Sequence, residues 1–238
     1  MIECWREWLY PLGYLSSIAF GGRFLFQWLI SEKQQKSVVT PGFWQLSLIG
    51  NVLLLVHSLI QVQFHVCAIQ ACNTVISWRN LNLMRPASQQ ITFRSTVILI
   101  LSGLVMTCLA FVLQGAVLED GTSNWFRLPV FIGQNNAPQF ISPLWHLIGI
   151  IGLVLFSSRF WIQWWCAEKH KSSYLGPAFW WLSLLGGTLS LIYFVKIGDP
   201  VNALGPAVGM IPYIRNLMLI KNQRRQTAPV TATYNVKK

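Results

Sequence analysis

Charge is what this sequence has least of. Only 11% of its 238 residues are charged, where a soluble domain has roughly 25%. Just 7 residues are acidic against 18 Lys and Arg, so the net charge of +11 comes from a shortage of acids rather than a wealth of bases. A soluble nucleic-acid binder can be this basic but is not this poor in charge, and no nucleic-acid partner is expected. Cysteine is equally uninformative. Cys4, Cys67, Cys72, Cys108 and Cys166 are odd in number, lack C-x-x-C spacing, and fall mostly in apolar stretches where a free thiol acts as a small hydrophobe. No disulfide framework and no metal site are expected. The G-x-S-x-G, P-loop, H-E-x-x-H and Rossmann glycine patterns are all missing. Five of the seven acids fall outside the face that holds most of the lysines and arginines, and the other two, Glu32 and Glu168, each stand beside a lysine, so paired carboxylates are lacking. No catalytic residue and no cofactor are therefore expected. The first eight residues, Met1 to Trp8, are acidic and precede no small-residue cleavage site, so the first apolar run is expected to persist as a span.

What the sequence does have is long apolar runs, with 53% hydrophobic residues. A spanning helix needs about 20 of them in succession. Seven stretches qualify: 9–30, 42–61, 64–84, 95–118, 143–166, 178–197 and 201–220. The third is the weakest, interrupted by Gln70, Asn73 and Thr74. The fold class expected is all-α integral membrane, with seven transmembrane helices. Residues 119–142, with Trp125, Phe126 and Arg127, are expected as an external loop against the membrane surface. Residues 221–238 read as a basic, disordered tail.

The chain is also duplicated. Arg23-Phe24, Gln27-Trp28, Glu32-Lys33, Ser37, Pro41, Phe43-Trp44, Leu46-Ser47-Leu48 and Gly50 recur as Arg159-Phe160, Gln163-Trp164, Glu168-Lys169, Ser173, Pro177, Phe179-Trp180, Leu182-Ser183-Leu184 and Gly186. Every match lies 136 residues on, without a gap, through Arg79-Asn80-Leu81 and Arg215-Asn216-Leu217. Three-helix units thus occupy 9–84 and 143–220. Three spans alone would invert the second copy; the additional span 95–118 restores its orientation. The architecture expected is a 3+1+3 parallel tandem repeat, as in the SWEET transporters.

Charge placement gives an independent orientation. Seven spans put Lys33, Lys36, Arg85, Arg94, Lys169, Lys171, Lys221, Arg224, Arg225, Lys237 and Lys238 on one face. The other face receives Arg6, Arg127 and Lys196 with Glu3, Glu7, Glu119, Asp120 and Asp199. The positive-inside rule makes the first face cytoplasmic, with the N-terminus outside and the C-terminus inside.

Four arginines escape that count. Arg23 lies roughly 12 Å from the cytoplasmic end of its helix, at a depth where a cation costs about 2.5–3.5 kcal/mol on insertion scales. Gln27 follows at i+4 on the same face, and Arg159 with Gln163 repeats the arrangement. Arg23, Gln27, Arg159 and Gln163 are the candidate ligand-binding residues, suited to an anionic headgroup gripped by planar guanidinium forks. The alternative is that these arginines snorkel or brace helix packing. Arg79-Asn80 and Arg215-Asn216 fall in final helix turns, where anchoring to anionic headgroups is the simpler role. Glu32-Lys33 and Glu168-Lys169 read as solvated charge pairs. All eight, with Asp199, are secondary candidates. Trp44 and Trp180 are expected in an interfacial aromatic belt. Ser47, Gly50, Ser183 and Gly186 are expected to permit close helix approach. Asn51 and His57 meet Gly187 and Tyr193 in the second copy, and a packing role is expected for His57.

The combined string, from Arg-Phe-x-x-Gln-Trp-x-x-x-Glu-Lys through Phe-Trp and Ser-Leu-x-Gly to Arg-Asn-Leu, resembles the lipid A biosynthesis N-terminal domain family over residues 13–84 and 149–220. The resemblance implies a three-helix unit of the SWEET and PQ-loop kind, a Gram-negative inner membrane, and a link with lipid-A-disaccharide synthase, a glycosyltransferase. The family's Asp-Pro survives as Asp199-Pro200, but its Gly-Gln reads Gly205-Pro206; the first copy has Gln63-Phe64 and Ile69-Gln70. Only a short tail remains after residue 220, less than the roughly 100–150 residues of a usual domain, so a detached or a truncated membrane half is expected. The leading functional expectation is an inner-membrane module that binds or presents an anionic lipid A precursor, with membrane lipids and a cytoplasmic synthase domain as partners. The alternatives are a SWEET-like transporter or flippase, and the synthase itself.

Overall fold

A computed structural model describes residue 9, residues 11–117, Trp125, residues 143–196 and residues 200–227. The described chain is all helical. Seven α-helices follow in order: α1 Pro11–Gln34, α2 Pro41–Ile60, α3 Phe64–Leu83, α4 Phe93–Val117, α5 Pro143–His170, α6 Pro177–Lys196 and α7 Pro200–Thr227. Five of the seven open on proline, whose missing N–H costs nothing at a first turn and whose fixed φ already suits a helix. Four helices, among them α2, α5 and α6, are long and apolar enough to cross a membrane; the fourth is α4. Helix α7 continues to Thr227, so the segment after Ile220 begins as helix rather than as tail. The expected surface loop and Asp199 lie outside the described residues, apart from Trp125, whose ring meets Phe64 at 4.9 Å and Phe111 at 6.0 Å.

Two of the helices bury a polar stripe and expose an apolar one. Helix α1 buries Ser16, Ala19, Arg23, Gln27 and Ser31 along one stripe, while Leu15, Ile18, Leu25 and Leu29 are exposed. Residues three and four apart share a helix face, so its polar stripe points into the protein and its leucines point out. Such a helix is unstable in water, where the apolar stripe must be covered. Helix α5 repeats the pattern, burying Arg159 and Gln163 and exposing Ile150, Val154, Ile162 and Trp165. This polar stripe also lowers the hydropathy of α1 below that of the four most apolar helices.

Within each repeat consecutive helices pack together: α1 on α2 on α3, and α5 on α6 on α7. Gly186 makes the close approach expected of it, since a Cβ there would lie 2.6 Å from the Phe156 backbone nitrogen of α5. Between repeats, α1 meets α7 and α3 meets α5. The largest buried cluster straddles this seam, joining Phe43 and Trp44 of the first repeat to Phe160, Phe179, Trp180 and Tyr213 of the second. Trp44 and Trp180 are both 0% exposed. They are central packing residues, not the interfacial belt their position near helix starts implied: Trp44 meets Phe160 of the opposite repeat at 6.5 Å, and Trp180 meets Tyr213 of its own at 6.3 Å.

Candidate functional site

The C-terminal ends of α1 and α5 place the polar residues that face across the seam. Both helices end alike. Gln35 and Lys171 adopt positive φ, 52° and 51°, while Lys36 N–H donates to Ser31 O and Ser172 N–H to Ala167 O. This six-to-one closure reverses the chain within two residues, bringing Ser37 and Ser173 back against the helix they have just left.

The seam is then closed by exchanged, equivalent bonds, as across a twofold axis. Gln27 Nε2 donates to Asn216 Oδ1 at 2.9 Å, and Asn216 Nδ2 returns a bond to Gln27 Oε1 at 3.2 Å. Gln163 and Asn80 form the same reciprocal amide pair at 2.7 and 3.2 Å. Ser37 and Ser173 each donate to the neighbouring asparagine, at 2.8 and 2.7 Å. Arg79 holds Glu168 in a bidentate fork at 2.6 and 2.9 Å, and Arg215 holds Glu32 at 2.6 and 2.6 Å. Arg79-Asn80 and Arg215-Asn216 are therefore partners of the opposite repeat rather than lipid anchors. Glu168 is not a solvated neighbour of Lys169: it is 6% exposed and takes a further bond from the Trp164 indole. Lys33 and Lys169 remain exposed, the latter 5.4 Å from the Trp165 ring.

One helical turn deeper, the seam changes character. Arg23 Nη1 donates to Ser47 Oγ at 3.0 Å and Arg159 Nη1 to Ser183 Oγ at 3.4 Å. Both arginines are at least 95% buried. Both guanidinium carbons lie against the same two rings, Phe24 and Phe160, at 4.9 to 5.5 Å. Cation–π contacts of this kind return part of the desolvation cost, but leave the charge uncompensated. The described residues contain two acids, Glu32 and Glu168, and both are held by other arginines. The Nε–H groups of Arg23 and Arg159 and the indole N–H groups of Trp44 and Trp180 have no hydrogen-bond partner among the described residues. Two like charges and four unpaired donors thus face one another in the core, and donors without acceptors are costly there.

The four principal candidates therefore divide. Gln27 and Gln163 spend their amides bracing the seam, whereas Arg23 and Arg159 retain unused donors. Sequence reasoning missed the acid–arginine exchange, because a fixed offset shows which residues correspond and not which ones touch. It also missed Ser77 and Tyr213, which occupy equivalent positions but differ greatly in size; the same offset carried that signal.

Comparison with known proteins places the chain. The lipid A biosynthesis N-terminal domain model matches twice, over residues 12–82 and 148–218. Proteins named lipid-A-disaccharide synthase are similar to it: that of Chlamydia pneumoniae is 41% identical across 92% of this chain and 34% of its own length. The Chlamydia felis protein is 38% identical across 91% and 34% respectively, and that of Chlamydia trachomatis serovar D is 35% identical across 91% and 35%. The chain thus spans about a third of these relatives. No solved structure matches it. Its two copies of the module, in the register the repeat defines, make the chain a member of the lipid A biosynthesis N-terminal domain family.

Proposed function

We propose that this chain is an inner-membrane module of lipid A biosynthesis that binds or presents an anionic, phosphorylated glucosamine lipid in the seam between its repeats. It carries no glycosyl transfer of its own. The observation behind this reading is the pair of buried guanidiniums, Arg23 and Arg159, which share Phe24 and Phe160 and have no acidic partner among the described residues. A phosphate or carboxylate would neutralise both and accept from their free Nε–H groups. The relatives' name supplies the substrate class, and a cytoplasmic synthase domain is the partner it implies.

The proposal includes the membrane arrangement: seven spans, 3+1+3 with the two repeats parallel, the N-terminus outside and the C-terminus cytoplasmic. Its support is the inward polar stripe of α1 and α5 and the clustering of Lys and Arg on one face of the seven-span count. The exchanged bonds then close the cytoplasmic end.

Binding decides the matter. Arg23→Gln and Arg159→Gln should each weaken binding of a phosphorylated glucosamine lipid to the purified chain by at least tenfold, with little change toward an uncharged glycolipid. Equal binding by parent and variants would overturn the reading. A second reading, a SWEET-type transporter or flippase, draws on the same seam, since two equivalent units closed at one end are suited to alternating access. Lipid scrambling by reconstituted vesicles, absent from empty ones, would favour it. Disaccharide formation by the purified chain would contradict both; none is expected.

A further inference from the structure

The two repeats do not offer a ligand the same surface. In the first, Arg23 lines a cleft with Asn51, Asn73, Ser77 and, from the opposite repeat, Phe160. Asn51 Nδ2 donates to Ser77 Oγ at 3.0 Å. Two buried polar atoms of this cleft have no partner among the described residues: the Arg23 Nε–H donor and the Asn73 Oδ1 acceptor.

In the second repeat the corresponding residues are Gly187, Gly209 and Tyr213, each 136 positions on. The phenol fills what the two amides and the serine leave open. A Cβ on Gly209 would lie 2.5 Å from the Tyr213 Cζ, and one on Gly187 would lie 3.5 Å from its ring edge. The phenol oxygen takes a bond from Arg159 Nη1 at 3.3 Å. Tyrosine at this place requires glycine at 209 and lies in ordinary contact range of position 187, so Gly209 and Tyr213 form one compensated exchange that Gly187 adjoins. An aromatic hydroxyl covalently occupies in one repeat the space that is lined by unpaired polar atoms in the other.

Resting on the anionic-ligand reading above, we propose that ligand binding is one-sided. Arg23, Asn51, Asn73 and Ser77 receive the ligand's hydroxyl-bearing anionic end, and Tyr213 blocks the equivalent place beside Arg159, acting as a specificity-determining residue. The unpaired atoms define the chemistry: an anionic oxygen for Arg23 Nε–H, and a hydroxyl or amine to donate to Asn73 Oδ1. A phosphorylated amino sugar carries both; a simple phospholipid phosphate carries the first alone. The cleft admits no water-sized sphere as it stands, so the ligand enters as the repeats part along the seam.

The test transplants the second repeat's solution into the first. The triple variant Asn51→Gly, Asn73→Gly, Ser77→Tyr should fill the cleft with packing the fold already tolerates. A volume-conserving single variant, Asn73→Asp, sets a carboxylate against the ligand's anion. The probes are a lipid-linked glucosamine 1-phosphate and phosphatidic acid, titrated onto the full chain in detergent, with thermal unfolding as the folding control. Both variants should lose at least tenfold affinity for the amino-sugar probe while retaining a cooperative transition, and the parent should prefer that probe to phosphatidic acid. If both variants bind within twofold of the parent while Arg23→Gln does not, the seam binds anions but the one-sided pocket is wrong. Should the parent bind neither probe, the anion site itself falls.

Discussion

The two halves of the seam carry the same residues and live in different solvents. Where α3 meets α5, the Arg79 and Glu168 side chains are 1% and 5% exposed; where α1 meets α7, those of Arg215 and Glu32 are 31% and 38% exposed. The bond geometry is nearly identical. What differs is α4. Its Phe93 stacks on Trp164 at 5.5 Å, its Ile100 joins Cys72, Ile76 and Trp164 in a buried cluster, and the turn leading into it donates Ile91 N–H to Asn82 Oδ1. Asn82 in turn accepts from Arg79. The α1–α7 half has no such cover among the described residues. Helix α4 therefore keeps one half dry and leaves the other wet, and an ion pair's worth depends on which it is.

The largest expected effect follows from that difference. Glu168→Gln or Arg79→Leu strands a buried charge and should lower unfolding free energy by about 3–5 kcal/mol, read by denaturant titration in detergent. Replacing both, as Arg79→Met with Glu168→Leu, should recover most of the loss, since a buried pair is often no better than its apolar isosteres. Glu32→Gln should shift the transition by less than half as much, and more weakly still in high salt. Equal shifts from Glu168→Gln and Glu32→Gln would break the comparison.

A smaller effect compares the α1–α2 and α5–α6 contacts. Gly186→Ala drives its Cβ into the Phe156 backbone nitrogen, whereas Gly50→Ala meets the Phe20 ring, a side chain that turns aside. The first should cost about 1–3 kcal/mol and the second clearly less, by the same titration.

The smallest is the exposed pair's share of a pH effect to which Glu168 also contributes, since against its burial the Arg79 fork holds that carboxyl low as well. The hydrogen bonds from Arg215 hold the Glu32 carboxyl below its ordinary value. A depressed carboxyl contributes stability that is present above its unfolded pKa, about 4.3, and is lost as pH falls through the folded value. The parent's unfolding midpoint should thus fall on acidification below about pH 4, and Glu32→Gln should flatten that limb. An unchanged acid limb in the variant would assign it to other groups.

Legibility varied with the kind of question. Helix positions were readable because each is set by a local run of apolar residues, in five cases behind an opening proline, and all seven expected stretches coincide with helices. Gly186 was readable because a missing side chain beside a repeated motif has few uses. Trp44 and Trp180 were misread because an indole near a helix start suits a headgroup layer and a buried core equally well; only the packing of Phe160 on one and Tyr213 on the other decides. Glu168 and Arg79 were misread because each has an adequate local explanation, a neighbouring lysine or a helix end.

By itself the sequence determined the helices, the duplication, the family and the register that equates Arg23 with Arg159. Those properties reside in short runs and in one constant offset, and neither needs distant residues to be near. The tertiary structure alone decided that Glu32 answers Arg215 and Glu168 answers Arg79, that the two glutamines brace while the two arginines keep free donors, and that Tyr213 fills what Ser77 leaves open. Each of these depends on which faces two separately readable units turn toward each other, and burial, not residue type, then sets what a charge is worth.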